Sequence, residues 1–188
     1  MGIIKSQGNM STIHCNAKLS KIGSWMILGL PKITSTKLPS RGMVMVEGTI
    51  NDFPLQTALE PDGRGSHWFR VDKTLTKKAH LGITDAVSLV IEPSEKWPEP
   101  NLSVDLKKAL TADPEANKLW LEITPMARWD WIRWIRGTKN TDTFKKRVRV
   151  ALSKLKNGDR RPCCFNRTQC TEPDVSNNGV LIEPIQAL

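Results

Sequence analysis

The apolar residues of this chain change their period partway along it. From Thr12 to Glu92 they come in short runs separated by turn residues. Ser24 to Leu30 is an apolar run closed by Pro31. Gly42 to Ile50 is rich in β-formers, and Asn51-Asp52 follows as a turn. Phe53, Leu55, Thr57 and Leu59 recur at every second position, which is strand period, because successive side chains of an extended backbone point to opposite faces. Pro61 to Ser66 is a turn signal, and His67 to Val71 and Ala86 to Ile91 read as further strands. Between them a short helix is predicted over Lys73 to His80. Six short strands at this spacing predict a small antiparallel barrel or sandwich. Closing the sheet would remove its unpaired edges.

Pro93, Pro98 and Pro100 then break the pattern, since a proline neither donates to a ladder nor sits inside a helix. Beyond them the period becomes helical. Ser103 is placed to cap a helix over Val104 to Leu110, and Asp113-Pro114 and Thr124-Pro125 each pair a cap with a proline at the first helical position. In the third helix Trp131, Trp134 and Ile135 share a face. In the fourth, Phe144, Val148, Ala151, Leu152 and Leu155 form a stripe that ends at Gly158. The class is α+β. Residues 1–11 are expected to be disordered, 12–93 to form the strand domain, 94–102 a proline-rich linker, 103–170 a helical region of about four helices, and 171–188 an extended tail.

Charge changes this picture by being local. The chain carries a formal +9, and residues 121–170 hold 13 Lys+Arg against 4 Asp+Glu, together with three of the four cysteines. A basic block interleaved with tryptophan suggests a surface for an anionic partner. No apolar run reaches the length of a membrane span, so no membrane partner is expected. The N-terminus lacks the apolar core of a secretory signal, so the cytoplasm is the expected location, with the cysteines as thiols.

Several residues are candidates for binding. Arg128, Arg133 and Arg136 alternate with Trp129, Trp131 and Trp134, a set able to grip an anionic or aromatic ligand by ion pairing and cation–π contact. The competing reading docks Trp131, Trp134 and Ile135 onto the strand domain and leaves the arginines at the rim. Lys145, Arg149, Arg160 and Arg161 are anion-binding candidates, set against a merely solvated face. His67 and Arg70, on one strand, are candidates at a barrel mouth. Cys163-Cys164 and Cys170 lack the paired four-ligand spacing of a zinc site, and packing competes with thiol reactivity there. Gly63 to His67 reads as a hairpin turn, because a strand and not a helix N-terminus follows. No catalytic triad, paired metal histidines or phosphate-binding glycine loop is present, so neither a metal nor a cofactor is expected.

Three segments in the N-terminal half, Val46-Glu47-Gly48-Thr49-Ile50-Asn51, Gly63-Arg64-Gly65-Ser66-His67 and the valine-rich strand before Pro93, carry a resemblance. So do Asp105-Leu106 to Ala109-Leu110, Thr124-Pro125 to Trp134-Ile135, and Gly158 to Cys163-Cys164-Phe165. In order and spacing they resemble the bacterial YdeI/OmpD-associated proteins, also labelled bacteriocin-protection proteins, over roughly residues 12–170. The resemblance implies a closed six-stranded β-barrel followed by a helical appendage, and no settled reaction. The chain departs from the family's pattern at Thr84-Asp85, at Thr138-Lys139 and at Asp142-Thr143-Phe144, where Phe144 stands in place of the usual arginine. The expected function is a non-enzymatic binding protein for a small molecule or peptide, held between barrel and helices, with antimicrobial protection by sequestration implied by the resemblance. A nucleic-acid-associated protein using the basic surface is the alternative. An enzyme with a site at the barrel mouth is third, and no residues are assigned to it.

Overall fold

The computed structural model describes residues 11–83, 86–163 and 165–184. The expected N-terminal disorder, the Thr84-Asp85 departure and Cys164 lie outside them, apart from Ser11. Six strands, β1 (Ile13–Ile22), β2 (Trp25–Gly29), β3 (Val44–Ile50), β4 (Phe53–Pro61), β5 (His67–Val71) and β6 (Ala86–Pro93), pair antiparallel in the order β1-β2-β5-β4-β3-β6. β6 pairs in turn with β1, from Ile13↔Ile91 to Lys18↔Ala86, so the sheet closes into a barrel and not a sandwich. Asn51 and Asp52 both take positive φ, the geometry of a tight hairpin turn whose twist matches its strands. The barrel interior is filled by side chains, among them Leu19, Leu28, Val46, Leu59, Phe69, Leu89 and Ile91. Eight or fewer strands leave room for little else.

Two short helices lie between the strands. α1 (Lys32–Ser35) was not foreseen, being too short to show a period. α2 (Lys73–Lys78) falls inside the predicted stretch and is capped by Asp72, which accepts from the Leu75 amide at 2.7 Å. The helical region holds α3 (Val104–Ala112), α4 (Pro114–Glu122), α5 (Pro125–Arg136) and α6 (Thr141–Lys156). Ser103, Asp113 and Thr124 cap their helices as expected, and Asn140 caps α6. Asn157, rather than Gly158, is the last half-helical residue of α6, and Gly158 follows it at φ +89°. No described helix is long and apolar enough to cross a membrane.

The helices build their own core from Leu106, Leu110, Trp120, Ala127, Trp131, Ile135, Val148, Ala151 and Leu155, with no barrel residue among them. Trp131, Trp134 and Ile135 therefore dock α5 onto its fellow helices and not onto the barrel. The tail also differs from the extended segment expected. It forms a small hairpin, β7 (Ser176–Asn177) with β8 (Val180–Leu181), laid against the outside of the barrel. Cys170 and Val175 join Ile22, Ile27 and Trp68 in a third apolar cluster. Gly63 makes this docking possible: at φ +80° a Cβ would lie 2.2 Å from the Gly179 carbonyl oxygen.

Candidate functional site

α5 has two faces. Ala127, Trp131 and Ile135 point into the helical core, while Met126, Asp130 and Arg133, at i, i+4 and i+7, lie on the opposite side. That second face meets the barrel, and its charges are buried there. Arg133 is fully buried, with Nε 3.5 Å from Glu60 Oε2 of β4, while Nη2 donates to the Gln169 carbonyl at 3.1 Å. Arg136 pairs with both Glu60 and Glu172. Burial pushes the Glu172 carboxyl above its ordinary range, and nearby Arg136 opposes that rise. Asp130 is buried too. Burial raises its pKa, and Arg161 and Arg167, each 3.6 Å away, pull it back.

Beside this charged junction runs a groove of about 690 Å³. Its barrel wall is Pro39, Met43, Val44 and Met45, its helical wall Pro125 and Met126, and the proline-rich segment contributes Pro93 and Trp97, with Arg161 at the edge. A smaller cavity of about 180 Å³ shares Ser40, Met43, Trp97 and Met126 with it and adds Arg41, Asp130 and Arg167. The two form one apolar groove with a polar end. Methionine suits such a wall because its unbranched side chain adapts to different shapes.

The structure disperses the predicted site residues. Arg128 is buried and structural: Nε and Nη2 donate to the carbonyls of Trp120, Leu121 and Ile123 at the end of α4, and Nη1 pairs with Glu99. Trp129 lies outside the groove lining. Its Nε1 donates to the Pro98 carbonyl at 2.8 Å and its ring meets Trp97 edge-on at 6.2 Å, so it props the wall that Trp97 forms. Arg133 and Arg136 hold the junction and do not stand free at the rim. Arg70 is exposed on the barrel's outer face, stacked over Trp25 at 4.1 Å. His67 is buried at the α1 end of the barrel. Its backbone amide donates to Ser35 Oγ, and Nε2 meets the Gly42 carbonyl at 2.9 Å. Burial lowers its pKa, outweighing Gly42 and Asp62, with Arg41 and Arg133 adding to the lowering.

Lys145, Arg149 and Arg160 are exposed, with no carboxylate within 4.0 Å among the described residues. Arg161 alone of the anion-binding candidates lines the groove. Phe144 packs on the helical core and lines a separate cavity of about 310 Å³ with Arg136. Cys170 is buried, and burial pushes its thiol up to about 11. The groove residues Met43, Trp97 and Met126 were not candidates from sequence. A tryptophan within a proline-rich boundary was the available signal, since a linker has no core of its own to bury it.

The two halves of the chain match different family models. Residues 14–91 match a domain of unknown function (DUF1905). Residues 99–158 match the model described as bacteriocin-protection, YdeI or OmpD-associated. A search of curated proteins finds no match to the chain.

Proposed function

We propose that this chain, a member of the bacteriocin-protection, YdeI or OmpD-associated family carrying a barrel domain of unknown function ahead of the family's helical domain, is a non-enzymatic binding protein whose site is the groove between the two. One observation carries the reading. The groove is walled by apolar residues of both domains, and its lining gathers Arg41, Lys96, Arg161 and Arg167 against the two carboxylates of Glu95 and Asp130, so cations outnumber acids. Its volume falls in the range of small-ligand sites, which are mostly apolar with a few convergent polar groups. The matching ligand is amphipathic: an apolar small molecule or short peptide ending in an acidic group. The family's description as bacteriocin-protection fits sequestration of such a molecule in the cytoplasm, because a peptide toxin offers apolar segments of this kind.

Thermal-shift and tryptophan-fluorescence titrations with decanoate, decanol and short apolar peptides with free or amidated C-termini test this. The acidic members are expected to raise the melting temperature, and Met126→Glu to abolish the effect by placing a charge in the apolar wall. No shift from any of them, or equal shifts in the variant, overturns the reading.

A second reading keeps one observation in its favour. Lys145, Lys146 and Arg149 lie exposed on α6, with no acidic partner among the described residues. Such cations would release counterions from a nucleic-acid backbone. A gel shift at low salt, weakening steeply as salt is added, supports that reading, and no shift at low salt removes it.

A further inference from the structure

A second cavity, of about 410 Å³, lies between α5, α6 and the tail hairpin, and it differs in chemistry from the groove. Its walls are polar. Arg133 and Arg147 line it, Thr171, Asn177 and Asn178 add a hydroxyl and amides, and Trp134 adds a ring; no carboxylate is among its lining residues.

Three polar atoms of these lining residues are buried without a hydrogen-bond partner: Arg133 Nε, Arg133 Nη1 and Thr171 Oγ1. Nη2 donates to the Gln169 carbonyl, and Nε, though not hydrogen-bonded, faces Glu60 Oε2 at 3.5 Å, which leaves Nη1 and Thr171 Oγ1 for a ligand. An unpaired buried donor costs on the order of 1–3 kcal/mol, and more on a charged group, so two on one cavity are a standing cost that a ligand with several acceptors would remove. Arg147 is anchored by donating to the Trp134 carbonyl at 2.7 Å. Its guanidinium carbon lies 5.4 Å from the Trp134 ring centre, and it has no carboxylate partner among the described residues. Anchored, uncompensated guanidinium beside unpaired donors is the chemistry of a multi-oxygen anion.

We infer that this cavity is a separate site for a phosphorylated sugar, the phosphate taken by Arg147, Arg133 Nη1 and Thr171, and the hydroxylated body by the amides and the Trp134 ring. Phosphate supplies more acceptor oxygens than a carboxylate, and a volume of about 410 Å³ exceeds what phosphate alone needs. An apolar ligand finds no matching wall here.

Isothermal titration and thermal shift with ribose 5-phosphate, ribose and inorganic phosphate test the inference. Ribose 5-phosphate is expected to bind and stabilise, phosphate to bind about tenfold or more weakly, and ribose not to bind. Arg147→Gln should lose tenfold or more in affinity. Thr171→Val is the diagnostic variant. Without ligand its melting temperature should equal or exceed that of the parent, since an unpartnered hydroxyl is replaced by an isosteric methyl, yet its affinity should fall several-fold. Met126→Glu should bind ribose 5-phosphate unchanged, which keeps this result apart from the fate of the groove. The site is overturned if ribose 5-phosphate gives no heat or shift, or if Arg147→Gln and Thr171→Val bind it like the parent. Equal affinity for phosphate and ribose 5-phosphate overturns the sugar assignment.

Discussion

Arg133 of α5 lies with its Nε 3.5 Å from Glu60 Oε2 of β4, both closed off from solvent, and this ion pair joins the helical region to the barrel. A buried pair gives little net stabilisation over apolar packing, but losing one partner strands the other charge. Glu60→Ala should therefore destabilise the protein by about 3–5 kcal/mol, because Arg133 keeps its charge in a buried place. Urea denaturation measures this. A loss below about 1 kcal/mol would show that water enters the junction and solvates Arg133.

Arg128 makes a comparable prediction about geometry rather than charge. Its guanidinium serves three carbonyls at the end of α4, a fork that an ammonium cannot reproduce. Arg128→Lys should lower stability by about 2 kcal/mol or more as buried carbonyls lose their donors. Glu99→Ala should cost no more than about 1 kcal/mol, because the Glu99 side chain is 64% exposed and its pairing is screened. Comparable losses in the two variants would mean that the ion pair, and not the carbonyl fork, is what Arg128 supplies.

Gly63 and Gly158 both take left-handed φ, but only Gly63 has a neighbour where a side chain would go. Gly158→Ala should cost about 1 kcal/mol, the ordinary penalty for a Cβ in that conformation. Gly63→Ala should cost clearly more, since its Cβ would collide with the Gly179 backbone and lift the tail hairpin. Limited proteolysis should then cut the 170–184 segment of Gly63→Ala faster than that of Gly158→Ala.

His67 sets a pH dependence. Its Nε2 donates to the Gly42 carbonyl, so protonation would fall on the unpartnered Nδ1, inside the fold and near Arg41 and Arg133. Burial holds its pKa below the ordinary 6.5, so the unfolded chain takes up the proton first. The stability tied to neutral His67 is fully present above 6.5 and is lost as pH falls toward the lowered folded value. His67→Gln keeps a donor for Gly42 and cannot titrate. Its stability should fall less than that of the parent between pH 7 and 5. Parallel curves would assign the acid sensitivity to other groups.

Much of this fold is legible in the amino-acid order because it rests on local chemistry. Two-residue alternation marks β4, the Asn51-Asp52 pair turns the chain, and Ser103, Asp113 and Thr124 start helices by capping amides a few residues ahead. The apolar stripe of α6 likewise identifies its buried face. The candidate site was far less legible, since it depends on what lies opposite each face. Helical period separates Trp131 and Ile135 from Met126, Asp130 and Arg133, but a polar face reads the same whether it meets water or a barrel. Only the tertiary structure sets Glu60, about seventy residues earlier in the chain, against Arg133 and so buries arginines that local charge alone would leave exposed. It also brings Met43, Trp97 and Met126 onto one groove, and folds the tail back to close a second cavity around Arg147 and Thr171. Local propensity depends on neighbours within a turn or two; these sites depend on contacts between distant segments, which no period along the chain encodes.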